Sequence, residues 1–139
     1  QIPAGLGGNT ERFALAPRPP LRKARLMPSP TSALNHLIDV LGLEDTRDLV
    51  RIYLDQTAKE LARLRQLPVN KQVIVVHGLK GSSSQVGAML FAAQCGALET
   101  QLKHSSVPLN EDELRALTAG FNECAAPFQT WLGQPVTPL

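Results

Sequence analysis

His77-Gly78-Leu79-Lys80-Gly81-Ser82-Ser83-Ser84-Gln85-Val86-Gly87-Ala88 sets one histidine and one lysine on the same face of a helix among unusually small residues. At roughly 100° per residue, Val75, Val76, Leu79, Ser82, Ser83 and Val86 form one helical stripe, and Leu79 lies about 200° from His77. His77 is therefore predicted to face away from the core. Lys80, Gly81 and Ser84 follow it by one or two turns and share its face. A glycine within a helix costs about 1 kcal/mol relative to alanine, so Gly81 calls for a reason beyond propensity. One reason is close approach by a partner's backbone at the imidazole; the other is a tight helix crossing beside an ordinary surface histidine.

Outward from this segment the pattern stays helical. A short helix is predicted from Thr31 or Ser32 to Leu41, ended by Gly42. A second, from about Glu44 to Leu67, carries Val50, Tyr53, Leu54, Thr57, Leu61 and Leu64 inward, with Glu44, Asp45 and Asp48 near its positive end and Pro68 after it. The third, about Asn70 to Gln85, holds His77. The fourth, from near Gly87 to His104, has Leu90 or Phe91, Cys95, Leu98 and Leu102 as its stripe. Asn110 with Glu113 makes a capping-box-like start for the last helix. There Leu114, Leu117, Phe121, Cys124, Phe128 and Trp131 recur every three or four residues, with Pro127 predicted to kink or restart the helix. Short loops imply antiparallel neighbours. The expected fold is all-α: an up-down-up-down four-helix bundle over residues 31–133, the first short helix lying across one end, with 134–139 a C-terminal tail.

Residues 1–30 are of another kind. They hold six of the eleven prolines and read as a disordered or polyproline-like linker. Five Lys and Arg against Glu11 give this segment a net charge of +4, whereas the other 109 residues carry nine basic and eleven acidic side chains, a net of −2. The isoelectric point near 8.8 is thus a property of the tail. Its short basic run lacks interleaved aromatics, which argues against nucleic acid as a partner. No apolar h-region and no bilayer-length apolar stretch is visible, so the sequence reads as cytoplasmic, without membrane contact. A start at Gln1 with a proline-rich leader reads as a piece of a longer polypeptide.

Cys95 and Cys124 fall on apolar stripes and read as buried reduced thiols. Neither combines with His36, His77 or His104 at a metal-ligand spacing. Gly78-Leu79-Lys80-Gly81-Ser82 lacks the glycine spacing of a P-loop, and no kinase-type nucleotide signature is present. A domain this short is not expected to make its own phosphate donor from ATP. His36 and His104 read as ordinary surface histidines, His104 near a negative helix end.

His77, then Leu79-Lys80-Gly81-Ser82, Gly87-Ala88 and Leu98-Glu99 together resemble the pattern of the histidine phosphotransfer (HPt) domain family, the intermediate carriers of multistep phosphorelays. The motif spans 23 residues, and the helical layout extends the resemblance over 31–133. It implies a phosphorelay intermediate in which His77 Nε2 accepts a phosphoryl group from a receiver-domain aspartate and hands it to another receiver. A further implication is a place at the C-terminal end of a hybrid sensor kinase. Glu99, on the next antiparallel helix, is then the residue that holds the Nδ1 proton, and Lys80 the positive charge beside the phosphoryl oxygens. Val73, Ile74, Gly81, Ser84 and Gln85 are assigned to partner docking. No cofactor is expected in this domain; Mg²⁺ would come with the receiver. Two other readings remain open: an HPt-shaped docking module without phosphotransfer, and a small acid-base enzyme using His77.

Overall fold

Leu114, Leu117, Phe121, Ala125 and Phe128 all point inward from one helix, Glu111–Trp131, and this stripe organises the core. The computed structural model describes residues 31–139; the linker expected over 1–30 lies outside the described residues. The elements are α1 (Thr31–Leu41), α2 (Leu43–Arg63) followed by a 3₁₀ turn (Leu64–Gln66), α3 (Val69–Val86), α4 (Met89–Ser105) and α5 (Glu111–Trp131). Among the described residues there is no strand.

Cross-helix contacts give the topology. Tyr53 meets Ser83 and Leu64 meets Gln72, so α2 and α3 run in opposite directions. His77 and Lys80 meet Glu99, while a Cβ on Gly96 would touch Lys80, so α3 and α4 are antiparallel as well. Gln94 donates to the Ala116 carbonyl and Gln101 to the Glu113 carboxylate, which sets α5 against α4 in the same way. Arg65 pairs with Glu111 at one end of α2 and Arg47 with the Leu132 carbonyl at the other. The result is the expected up-down-up-down bundle, with α1 packed on α2 and α3.

Phe91, Phe128, Leu64, Leu102 and Leu117 are among the most completely buried side chains, each stabilising the fold by roughly 1.5–3 kcal/mol through the area removed from water. Tyr53 meets Phe121 and Phe128 edge-on, at centroid distances of 6.4 and 6.1 Å. Its hydroxyl lies 2.7 Å from the buried Ser83 hydroxyl, which satisfies both groups. Gln72, fully buried, donates to the Leu64 carbonyl and accepts from the Leu109 amide, tying two connections to α3.

The helix ends follow local chemistry. Asn110 and Glu113 form a complete capping box at the start of α5. Gly87 ends α3 in the left-handed region at φ 89°, and a Cβ there would stand 2.4 Å from that of Ala33. Glycine is therefore needed twice over, for its backbone and for the approach of α1.

Three expectations change, and one left open is settled. The second helix tightens into a 3₁₀ turn after Arg63 instead of continuing to Leu67: Pro68 has no amide to give the Leu64 carbonyl, which accepts from the Leu67 amide and from Gln72 instead. α5 does not restart at Pro127 but runs through it to Trp131. Proline removes one amide, yet it faces solvent while Ala125 and Phe128 on either side are anchored in the core. Leu90 is exposed and Phe91 takes the inward place on α4. Cys124 and Trp131 are only partly buried, Trp131 lying under the Arg47 guanidinium 5.7 Å from its ring centre.

Candidate functional site

α3 brings its two faces to different neighbours. The inward face, with Val75, Val76, Leu79, Ser83 and Val86, is buried. His77 stands on the outward face with its side chain 65% exposed. On one flank Lys80 leans toward α4; on the other, Ile74, Gly78, Ser82 and Gln85 line a cleft of about 370 Å³ against Leu49, Ile52 and Gln56 of α2.

Glu99 is the centre of the site. Its side chain is only 7% exposed, beneath three donors on two helices. Oε2 accepts from His77 Nδ1 at 2.9 Å and from Lys103 Nζ at 2.9 Å, and Oε1 accepts from Lys80 Nζ at 2.9 Å. Lys80 first, then Lys103, draw the carboxyl down to about 2, with His77 adding to them and burial opposing all three. Glu99 is thus an anion at any ordinary pH. An ionised carboxylate can only accept, so the shared proton belongs to His77 Nδ1. In the neutral ring Nε2 then carries the lone pair, on the side open to solvent.

Two residues that the sequence reading left aside complete this arrangement. Lys103 is the fourth residue after Glu99 on α4, the helical spacing at which a glutamate and a following lysine meet. Gly96 leaves room for Lys80: a Cβ there would come 3.2 Å from Lys80 Cδ. The Glu99-to-Lys103 spacing was legible in the sequence, whereas the passage over Gly96 depends on the α3–α4 packing.

The five residues expected to dock a partner divide. Ile74 is 64% exposed, and Gly81, Ser84 and Gln85 are exposed as well. A Cβ on Gly81 would meet nothing within 4 Å, so no helix crossing requires this glycine. Val73 is partly buried against the core and is the least exposed of the five. His36 is exposed, and His104 Nδ1 donates to the Thr100 carbonyl at 2.9 Å; neither has a carboxylate partner among the described residues.

Cys95 and Cys124 are free thiols, pushed up by burial to about 12 and about 11. They are protonated at neutral pH and poor nucleophiles. Among the described residues no three His, Cys, Asp or Glu side chains cluster as metal ligands would. No described helix is long and apolar enough to cross a membrane.

The fold is a helical bundle that presents an exposed histidine held by a buried carboxylate, and the comparison with known families gives it a class. Residues 48–126, more than half of the chain, match the Hpt domain family, and the chain belongs to that family. No curated protein and no solved structure matches it. Membership makes histidine phosphotransfer within a phosphorelay its general activity and receiver domains of response regulators its class of partner.

Proposed function

We propose that His77 is the phosphoacceptor and that Nε2 is the atom that carries the phosphoryl group. The observation behind this is the Nδ1 to Glu99 Oε2 hydrogen bond at 2.9 Å beneath a ring that is otherwise open to solvent. The bond holds the tautomer in which Nε2 is unprotonated. In the transfer, the Nε2 lone pair attacks phosphorus of an aspartyl acyl phosphate on a receiver domain. The P–N bond forms, the P–O bond to aspartate breaks, and its electron pair leaves on the aspartate carboxylate. The ring gains positive charge as this happens, and the carboxylate of Glu99 lies beside it.

Lys80 spans from Glu99 toward the same face and supplies positive charge to the phosphoryl oxygens as they approach. Ile74, Gly81, Ser84 and Gln85 form the docking surface around the ring, with Val73 in support. Mg²⁺ belongs to the receiver's acidic pocket, since the carboxylate at this site is already engaged by three cations or donors. The reverse reaction, from phosphohistidine to a second receiver aspartate, uses the same geometry.

Incubating the domain with a phosphorylated receiver domain tests this reading. Uptake as an acid-labile, base-stable phosphoramidate supports it. Tight receiver binding with no phosphate uptake supports a docking module instead, and hydrolytic activity without a phosphorylated intermediate an acid-base enzyme.

A further inference from the structure

Glu99 Oε2 accepts two donors at the same distance, His77 Nδ1 and Lys103 Nζ, so Lys103 is coupled to the imidazole through a single oxygen. A carboxylate against an imidazole favours the doubly protonated ring. That ring has no lone pair on Nε2 and cannot attack phosphorus. Orientation of the tautomer and suppression of nucleophilicity would come from the same residue, unless the carboxylate's charge is offset.

The structure supplies the offset. Among the described residues, the charged or titratable groups in ion-pair contact with Glu99 are His77 and Lys80 from α3 and Lys103 from α4 itself; α2 and α5 place none there. Lys80 occupies the other oxygen, so Lys103 is the cation on the oxygen that His77 uses. We propose that Lys103 is a positioning residue: by offsetting Glu99 at Oε2, it lets the carboxylate hold the Nδ1 proton without drawing a second proton onto Nε2. The proposal rests on His77 being the phosphoacceptor only for its consequence in transfer; its effect on the ring exists in the unphosphorylated domain. A plain reading of the pair, as a stabilising glutamate-lysine contact near a helix C-terminus, predicts a change in stability and nothing at the imidazole.

Lys103→Met keeps the aliphatic stem and removes the charge, and Lys103→Arg keeps the charge. ¹⁵N NMR of the ring across pH 5 to 9 reads protonation and tautomer directly in the unphosphorylated domain. Labelling with phosphoramidate, a small phosphoryl donor, reads nucleophilicity without any receiver. In Lys103→Met, the doubly protonated ring should persist to a pH higher by about half a unit, and uptake near neutrality should fall by up to roughly threefold, the most that a half-unit shift carries. Lys103→Arg should restore both. A Lys103→Met ring that titrates as in the parent, with the parental pH profile of labelling, overturns the proposal even if stability drops. Failure of the parent to accept phosphate from a phosphorylated receiver would instead reject His77 as phosphoacceptor, and the NMR comparison would still decide the role of Lys103.

Discussion

Glu99 and His77 lie 2.9 Å apart with opposite exposures: the carboxylate is 7% accessible and the imidazole 65%. The residue that orients is therefore anchored beneath the one that is presented. Glu99→Gln keeps an acceptor for the Nδ1 proton, and Glu99→Ala removes it. Single-turnover transfer from one phosphorylated receiver should be near parental for Gln and slower for Ala, by less than the ~10²-fold typical of orienting and acid-base groups in enzymes, because the receiver contributes much of the catalysis. Equal rates for all three proteins would remove Glu99 from the site.

The same carboxylate makes stability depend on pH. Its folded value is lowered to about 2, below that of an unfolded glutamate. The ion pairs therefore contribute fully above the unfolded value and are lost as pH falls through it toward 2. Urea midpoints of the parent and Glu99→Gln should differ most at pH 6 and converge toward pH 2. A difference that is constant across this range would show that the charge of Glu99 is immaterial to folding.

Gly81 separates helix propensity from docking. With nothing within 4 Å of a Cβ at this position, Gly81→Ala should raise stability by up to about 1 kcal/mol in urea denaturation. Gly81→Arg should also fold, while its long side chain, one turn from His77, blocks receiver binding. Unimpaired transfer by folded Gly81→Arg would move the docking surface elsewhere.

Gly87→Ala should act in the opposite direction. A side chain at φ 89°, with its Cβ 2.4 Å from Ala33 Cβ, strains the end of α3 and pushes α1 away. A loss of at least about 1 kcal/mol is expected, together with faster hydrogen exchange in α1. Parental exchange rates there would show that α1 does not depend on this contact.

Much of the fold was legible because apolar residues recur at helical spacing in α2 and α5 and turn residues separate the helices. What periodicity could not show was how packing overrides local preference. Pro127 stays within α5 because Ala125 and Phe128 hold the helix on either side, and at Leu64 the carbonyl that Pro68 leaves without an α-helical donor is taken up by the Leu67 amide and by Gln72 from α3. The site divides in the same manner. His77, Lys80 and Glu99 could be named from motif and register, and the structure brings the three together. The passage for Lys80 over Gly96 could not be read, since it belongs to two helices at once.

Phosphotransfer to His77 is most directly tested by incubating the parent, His77→Gln, His36→Gln and His104→Gln with the same ³²P-labelled receiver domain under single-turnover conditions. The exposed ring of His77 bears little of the core, so His77→Gln should keep the helical circular dichroism and urea midpoint of the parent. Uptake of label should vanish in His77→Gln alone and persist in the other two. Label retained by folded His77→Gln, or lost in His36→Gln or His104→Gln, would contradict the assignment of His77 as the phosphoacceptor.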